Sequence, residues 1–467
     1  MQAPVASSAP CAGFDPTAAL DATVRRARGS ALYRERLAGV EIRTLDDLRR
    51  LPLTTRAELQ AAGTHGTRAV PLDAVCHYGE SSGTTGATNS VWLTAGDFAR
   101  DAEVLRARHP DVFAPGHVIL NRFPFMAAPA HLIQLVAQQG GGVAIPAGNI
   151  NWDVPFPRAL ALARTAGATV LAGLPLEPIV LGEIARAEGL DLRRDVGFRY
   201  FFLGGSPLPP AMQRRLSRLW GARVIELFGS TETMLLGTSC AEGTLHLEVE
   251  LAHCEIVAET EDVPAAPGAI GRLVVTTLGV EGSPLVRLDT GDLVRPVGTC
   301  ACGEARPGIV VLGRTADAIE VDGRRLFPAE LVDAAAAAAD GVDSSVFFVV
   351  LLPDRVLVRI ERQAASGDPA AAFATRLPHV PVEIELVEPQ MLLDVELLAR
   401  SPHVYKPVVL ADWRRSGRRV LTVGEGMIEW PRPSWAEGKR WLQRTWRTAT
   451  RRRRLGREIG VAAPARR

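Results

Sequence analysis

Four short polar segments carry residue types that could bind a nucleotide. SSGTTG, residues 81–86, combines glycines that permit a tight turn with hydroxyl and N–H groups that suit phosphate oxygens. ELFGSTE offers Phe228 to stack on a purine and Glu232 as an oxygen ligand for Mg²⁺. RLDTGDL places Asp292 after a glycine turn, where an acceptor-only side chain matches two ribose hydroxyls, and Arg314 would lie near a phosphate or the ribose. Each segment alone is also compatible with a surface turn or a strand end.

A second group of residues has side chains that bind metals. These residues, in C-x5-H and C-x-C spacings, are Cys240, His246, Cys300 and Cys302. Three thiolates and one imidazole would complete a closed tetrahedral site, so the sequence predicts a structural zinc ion that joins loops. His253 and Cys254 are rival ligands, and buried free thiols are the alternative interpretation. Six cysteines in a chain of this length do not indicate a disulfide framework.

The elements that would position these segments alternate between strands and helices. From residue 75 to about 315, apolar runs such as ATVLAGLP, FRYFFLGG and ARVIELFG end at Gly or Pro, and the helical PPAMQRRLSRLWG separates the last two. This order implies parallel strands joined by a crossover helix. Before them, TLDDLRRLPLTTRAELQAAG predicts two short helices, each capped by a threonine. The predicted class is α/β, with a large N-terminal domain of mixed or parallel sheets and helices (1–312), a small α+β C-terminal domain (313–415) and a basic Trp/Arg-rich extension (416–467).

Composition and charge limit the class of protein further. A chain of 467 residues that is 47% hydrophobic and 22% charged is typical of a globular protein with two or three domains. The net charge is +1, but the charge is unevenly distributed, because residues 414–467 contain sixteen Lys or Arg and four Glu. A membrane surface, an acidic carrier protein and nucleic acid are candidate partners for such a tail. A solvated basic helix that packs through its tryptophans is favoured, so no nucleic acid is expected. The absence of a long apolar run or a signal-like N-terminus predicts a cytoplasmic protein without a membrane span.

Taken in order, these segments resemble the superfamily of acyl-CoA synthetases, peptide-synthetase adenylation domains and luciferases. Within it the chain looks most like the phenylacetate–CoA ligase branch. The resemblance runs from about residue 31 to 415 and is carried by YRERL, LDDLRRLPLTTRAEL, YGESSGTTGATNSVWLTAGDF, LGGSPLPPAM, ELFGSTE, LVRLDTGDL and GRTADAIEVDGRRLFPAEL. It implies an enzyme of secondary metabolism that uses ATP and Mg²⁺ to convert a carboxylic acid, of aryl type by analogy, into an acyl-adenylate. The acyl group would then pass to the thiol of CoA or of a carrier protein's phosphopantetheine.

The resemblance also implies roles for individual residues. Those expected to hold ATP are Ser81, Ser82, Gly83, Thr84, Thr85, Gly86, Gly204, Gly205, Ser206, Phe228, Gly229, Ser230, Asp292 and Arg314. Thr231 and Glu232 match the phosphate and magnesium contacts. Lys406 matches the lysine that stabilises the charge formed when the carboxylate attacks the α-phosphorus, although a surface lysine is the alternative. The residues expected to line the acid pocket, for which core packing is the alternative, are Phe123, Phe125 and Met126.

Several positions depart from the family pattern. They are Ala87, Thr88 and Asn89 where the family often has Lys or Pro, Asp289 in place of an Arg of the ribose motif, and Ala316, followed by Asp317, at the interdomain hinge. A changed hinge leaves the second half-reaction open. The alternatives are an enzyme that couples its adenylate to an amine or hydroxyl or uses another oxyacid, and a noncatalytic nucleotide-binding relative. The predicted partners are a small carboxylic acid and CoA or an acyl carrier protein, with a homodimer as a candidate assembly.

Overall fold

The computed structural model describes residues 16–81, 88–148, 154–315, 318–321, 324–363, 367–393 and 409–414. These stretches all belong to one compact unit, residues 1–427. Several predicted features lie outside the described residues. They are residues 82–87, which include most of the SSGTTG loop, the hinge positions 316 and 317, Lys406 and the basic extension from 416. Within the described ranges, no helix combines the length and apolar character needed to cross a bilayer.

Three helices precede the first strand. They are α1 (Pro16–Ala27), α2 (Leu45–Arg49) and α3 (Arg56–Ala62). Thr44 and Thr55 cap α2 and α3, because each hydroxyl accepts a hydrogen bond from the third helical N–H while that residue's carboxylate accepts one from the cap N–H. Both threonine caps are therefore found where the sequence predicts them.

A hairpin of two strands follows, β1 (His77–Glu80) and β2 (Ser90–Leu93), and the described chain then forms an 11-stranded sheet. The strands of this sheet are β3 (Val118–Asn121), β4 (Val143–Pro146), β5 (Val170–Gly173), β6 (Tyr200–Gly204), β7 (Arg223–Ser230), β8 (Met234–Ser239), β9 (Leu245–Leu247), β10 (Ala252–Val257), β11 (Gly271–Thr277), β12 (Leu288–Val297) and β13 (Gly308–Arg314). Their order is β10-β11-β12-β13-β9-β8-β7-β6-β5-β3-β4. Strands β3 to β7 pair in parallel, and the remaining pairs are antiparallel.

Helices cover the parallel half of the sheet. They are α4 (Ala95–Arg108), α5 (Ala128–Gln139), α6 (Phe156–Thr165), α7 (Leu176–Ala187) and α8 (Pro210–Trp220), and single turns of 3-10 and π helix lie at Leu72–Ala74 and Leu192–Val196. Strand β5 is buried throughout, as expected for a parallel strand between two helical layers. The predicted α/β class is confirmed, and the carboxyl ends of β3, β5, β6 and β7 meet at one edge of the sheet.

A smaller α+β region follows β13. Its elements are β14 (Ile319–Val321), β15 (Arg324–Leu326), α9 (Pro328–Asp340), β16 (Phe347–Leu351), β17 (Val356–Glu361), α10 (Pro369–Arg376), β18 (Val382–Val387) and β19 (Leu410–Asp412). The last four strands form a sheet in the order β18-β17-β16-β19. Helix α9 contacts α8, where the Arg215 guanidinium reaches the carboxylates of Asp340 (3.3 Å) and Asp343 (2.5 Å). The domain boundary at residue 313 and the mobility of this region stay predictions.

Candidate functional site

A cavity of about 1370 Å³ lies at the carboxyl ends of β6 and β7. Its wall contains every described residue that the resemblance assigns to the nucleotide and its phosphates: Ser81, Gly204, Gly205, Ser206, Phe228, Gly229, Ser230, Thr231, Glu232, Asp292 and Arg314. Small-molecule sites typically occupy about 300–1,000 Å³, so this cavity has room for a nucleotide and a second ligand. Segments that are remote in the sequence therefore converge on one space.

The base of the SSGTTG loop is closed by hydrogen bonds between its two ends. The Ser81 N–H donates to the Asn89 carbonyl (2.9 Å), and the Asn89 N–H donates to Ser81 Oγ (2.8 Å). These bonds continue the β1–β2 hairpin and fix where the loop enters and leaves the cavity edge. Residues 82–87 lie outside the described residues, so the phosphate contacts of Ser82 to Gly86 stay a prediction.

Glu232 is buried beyond the end of β7, with 9% of its surface exposed. Its Oε1 accepts a hydrogen bond from Asn89 Nδ2 (2.6 Å), and the Arg56 guanidinium lies 3.7 Å from the same oxygen. The turn that contains Glu232 is held by Ser230 and Thr233, each of which donates its N–H to the other's hydroxyl at 3.1 Å. The turn thus fixes a carboxylate in the cavity wall, and such an oxygen donor suits Mg²⁺.

Asp292 and Arg314 face each other across neighbouring strands. They are register partners in the antiparallel pair of β12 and β13, and Gly291 precedes Asp292 with a φ of 76°, which favours glycine. Burial raises the pKa of Asp292, whereas the charges of Arg314 and Arg56 lower it and that of Glu232 raises it. Asp292 therefore lies within electrostatic range of both the arginines and the buried glutamate.

Asp289 stands where the resemblance leads us to expect an arginine of the ribose motif, and its role is structural. Its carboxylate accepts a hydrogen bond from the Gly291 N–H (2.9 Å) and forms an ion pair with Arg272. Asp289 is not among the residues that line the cavity. The substitution therefore stabilises the turn that presents Asp292 and supplies no ligand contact of its own.

Strand β6 ends at Gly204, which Gly205 follows, and the backbone there passes close to the backbone of β7. A Cβ added at Gly204 would lie 2.3 Å from the Leu227 carbonyl oxygen, and Gly205 has a φ of 83°. Only glycine allows this approach without displacing β7. The cavity wall beside Phe228 therefore carries no side chain at residues 204 and 205, which leaves space for a flat ring.

The three residues predicted to line the acid pocket are not brought together. Phe123 is buried and lies in the cavity wall beside Leu132. Phe125 and Met126 are 39% and 54% exposed and are absent from the wall, and the Phe125 ring contacts His131 with 6.1 Å between ring centroids. Phe123 is thus positioned to contact a ligand, whereas the roles of Phe125 and Met126 stay predictions.

The cavity wall also contains polar residues that the sequence patterns do not single out, among them Arg56, Gln213 and Glu226. Glu226 precedes Phe228 by two residues in β7, so the alternation of a strand could have placed it on the same face. Gln213 Nε2 donates to its carboxylate at 3.3 Å, and burial raises the pKa of Glu226 to about 7. The cavity therefore contains an acid whose charge changes near neutral pH.

We expect a Glu226→Gln variant to be more stable than the wild type at high pH. The unfolded chain has an ordinary glutamate pKa of about 4.3, so the folded state holds the extra proton and loses stability as pH rises from about 4.3 to 7. Glutamine keeps the acceptor for Gln213 but does not ionise. The free energy of unfolding should favour the variant by roughly 1–3 kcal/mol at pH 8 and by less at pH 5, as measured by urea denaturation. A difference that does not vary with pH would contradict this, as would the same difference in Glu188→Gln, which changes an exposed glutamate outside the cavity wall.

The four predicted metal ligands form one cluster. The ligand atoms of Cys240, His246, Cys300 and Cys302 all lie within 4.8 Å of one another. Cys240 Sγ and Cys300 Sγ are 3.8 Å apart, and Cys302 Sγ is 3.4 Å from His246 Nε2. Because His246 Nδ1 lies 2.9 Å from the Arg306 carbonyl oxygen, Nε2 is the ring nitrogen that faces the thiols.

These distances suit a tetrahedral metal, and the separation of Cys240 Sγ and Cys300 Sγ is too long for a disulfide. A disulfide would require about 2.05 Å between sulfurs, whereas zinc–sulfur bonds of about 2.3 Å place two sulfurs roughly 3.8 Å apart. The rival ligands His253 and Cys254 lie on β10 and do not belong to the cluster found in the described chain. Residues 241–245, between the first two ligands, line the cavity, so the cluster supports part of its wall.

Comparison with known proteins identifies the class to which this site belongs. The AMP-binding enzyme family matches residues 29–281, more than half of the chain, and the chain therefore belongs to that family. This confirms the predicted membership of the adenylate-forming superfamily and identifies the chain as an enzyme.

Individual relatives confirm the predicted branch. A phenylacetate–coenzyme A ligase of Escherichia coli is 29% identical over 315 residues, which cover 64% of this chain and 70% of that protein. One of Thermus thermophilus is 28% identical over 305 residues, covering 63% and 67%. A crystal structure of 2-hydroxyisobutyryl-CoA ligase in the postadenylation state shares the fold, with a TM-score of 0.74, 20% identity and coverage of 88% and 91%.

Proposed function

We propose that the protein activates a carboxylic acid with ATP and transfers the acyl group to the thiol of CoA. The observation that carries the proposal is the convergence of Ser81, Phe228, Glu232, Asp292 and Arg314 on one cavity in a member of the AMP-binding family. The named activity of the phenylacetate–coenzyme A ligases supports both half-reactions. A carrier protein's phosphopantetheine is the alternative acceptor.

The arrangement suggests how the nucleotide is held. Phe228 stacks on the adenine, Asp292 accepts hydrogen bonds from the two ribose hydroxyls, and Arg314 lies beside it. Glu232, with Thr231, would bind the magnesium that neutralises charge on the phosphates. The donor set fits that ion because a buried carboxylate adjoins Asn89, whose buried Oδ1 has no hydrogen-bond partner among the described residues.

Two group transfers complete the reaction. A carboxylate oxygen attacks the α-phosphorus, the bond to the bridging oxygen breaks, and pyrophosphate leaves with that electron pair. The thiol then gives up its proton to solvent and its sulfur attacks the acyl carbon. The bond between the acyl carbon and the phosphate oxygen breaks, and AMP leaves with that electron pair. The apolar wall at Phe123 and Leu132 suits the hydrocarbon part of the acid, and an aryl acid is the proposed substrate by analogy with the relatives.

The cysteine and histidine cluster would hold a zinc ion with a structural role. Three sulfurs and one imidazole nitrogen match the preferred ligands of zinc, and the distances between them match its tetrahedral geometry. All four coordination positions would come from the protein, which leaves none for a substrate. Zinc would therefore join the β8–β9 turn to the loop before β13.

The proposed function is tested by acid-dependent exchange of labelled pyrophosphate into ATP over a panel of aryl and alkyl acids. We expect exchange with at least one acid, and thioester formation when CoA is added. Exchange without transfer to CoA or to a phosphopantetheine carrier would favour an amine or hydroxyl acceptor. No exchange with any acid would favour a noncatalytic relative and overturn the proposal.

A matched pair of variants tests the ribose contact. Asp292→Ala removes two charge-assisted hydrogen bonds to the ribose, so we expect the KM for ATP to rise by about 30- to 100-fold or more. Asp354→Ala, which removes an exposed carboxylate, should leave KM unchanged. An unchanged KM in Asp292→Ala would reject the assignment of the ribose to this side chain.

A further inference from the structure

The loop that is predicted to bind the phosphates is not followed by the lysine that the resemblance leads us to expect. Residues 81–89 contain no basic side chain, and the whole chain has two lysines, Lys406 and Lys439. Pyrophosphate accumulates negative charge as it leaves, and enzymes that cleave ATP at a phosphorus stabilise that charge with cations. A basic residue from another segment would add to the charge that the proposed magnesium supplies in the adenylation half-reaction.

Arg56 is the arginine placed beside the predicted magnesium ligand. Its guanidinium is 3.7 Å from Glu232 Oε1, a separation well beyond the roughly 2.7–2.9 Å of a strong ion pair. Its side chain is 35% exposed, while that of Glu232 is almost wholly buried. Among the described residues, Glu232 is the acidic partner within 4 Å of Arg56. The guanidinium thus borders the cavity beside the carboxylate that is predicted to bind magnesium.

The other arginines of the cavity wall lie beside groups other than the predicted magnesium ligand. They are Arg214, Arg223, Arg295, Arg314 and Arg376. Three of them lie beside carboxylates of other segments: Arg223 beside Asp111 (3.5 Å), Arg295 beside Glu330 (3.7 Å) and Arg376 beside Asp333 (3.6 Å). Arg314 faces Asp292, and Arg214 lies on α8 next to Gln213, which reaches Glu226 and not Glu232.

The backbone ties Arg56 to the strand that presents Asp292. The Thr54 N–H donates to the Arg287 carbonyl (2.7 Å), and the Asp289 N–H donates to the Thr54 carbonyl (2.9 Å). This parallel bridge docks the start of α3 on β12, and the capping box at Thr55 fixes the first helical turn. Arg56 and the predicted ribose ligand therefore share one rigid support.

We propose that Arg56 binds the β- and γ-phosphates of ATP and stabilises the departing pyrophosphate, in place of the cation that the loop lacks. The inference rests on the proposed function. When the carboxylate oxygen bonds to the α-phosphorus, the electron pair of the broken bond stays on pyrophosphate, and the planar guanidinium can donate two parallel hydrogen bonds to its oxygens. Thioester formation involves no pyrophosphate, so it does not require Arg56.

The test separates the two half-reactions in the full-length protein. Pyrophosphate exchange is measured with the best acid of the panel, and thioester formation is measured from the synthetic acyl-adenylate and CoA. Arg56→Ala should lower exchange by about 100-fold or more while thioester formation stays within about 3-fold. Arg56→Lys should recover part of the exchange, because lysine keeps the positive charge but cannot donate the two parallel hydrogen bonds of a guanidinium. Arg50→Ala, which removes an exposed arginine that pairs with Asp47, serves as the matched control.

Four outcomes would overturn the inference. Exchange by Arg56→Ala within about 3-fold of wild type would show that the guanidinium does not assist pyrophosphate. An equal loss in both half-reactions would assign Arg56 a purely structural role. A lysine variant as impaired as the alanine variant, with normal thermal unfolding, would show that the positive charge of Arg56 does not assist pyrophosphate. A wild type that exchanges pyrophosphate with no acid would reject the proposed function and the arginine's role with it.

Discussion

Replacing Lys406 by alanine is expected to reduce acid-dependent pyrophosphate exchange by about 100- to 1,000-fold. The carboxylate and the α-phosphate are both anionic, and an ammonium placed between them stabilises the charge that forms in the transition state. ATP binding should persist, since Phe228, Asp292 and Glu232 remain, and thioester formation from the synthetic acyl-adenylate should change little. The measurement is the exchange rate at saturating ATP, with ATP affinity determined separately by calorimetry.

The sequence provides a matched control for this experiment, because it contains one other lysine. That lysine is Lys439, and Lys439→Ala removes the same charge from the basic extension. We expect that variant to exchange pyrophosphate at the wild-type rate. Exchange by Lys406→Ala at the wild-type rate would remove the lysine from the mechanism, and an equal loss in both variants would indicate an effect of overall charge.

Replacing Cys300 by serine is expected to abolish metal binding and destabilise the protein. The wild type should contain about one zinc per chain, because the four ligand atoms already lie at tetrahedral separations. Structural zinc contributes roughly 10–16 kcal/mol where folding depends on it entirely, and we expect a loss here of about 3 kcal/mol or more. ATP binding should also weaken, since residues 241–245 line the cavity.

Cys76 provides the matched substitution because its thiol is exposed and lies outside the cluster. Cys76→Ser should keep its zinc and its unfolding temperature. Metal content is measured by elemental analysis of purified protein, and stability by thermal unfolding with and without a chelator. Substoichiometric metal in the wild type, or full metal content in Cys300→Ser, would reject the zinc site.

Much of this site could be predicted because its signals are local in the sequence. The glycines of residues 204 and 205 and the turn at Gly291 are demanded by backbone geometry, which constrains residue type directly. The cysteine and histidine spacings likewise restrict how four ligands can meet. The α/β class could be inferred because buried parallel strands are continuous apolar runs that end at Gly or Pro.

Arg56 could not be predicted because its role depends on a long-range contact. Nothing in LPLTTRAEL distinguishes this arginine from a solvated one, and it reaches the cavity only because Thr54 pairs with Leu288. The exposure of Phe125 and Met126 could not be predicted from the sequence either, because the residue types in a loop do not indicate which side of the loop faces the solvent. Burial of Glu226 by packing around β7, which raises its pKa, is also a tertiary effect.

The most direct test is a crystal structure of the protein with a non-hydrolysable analogue of an acyl-adenylate. We expect the adenine against the Phe228 ring, both ribose hydroxyls about 2.7–3.0 Å from the Asp292 carboxylate, and the phosphate mimic near Ser81 and Glu232. An analogue bound on another surface, or one in this cavity whose ribose lies away from Asp292, would contradict it.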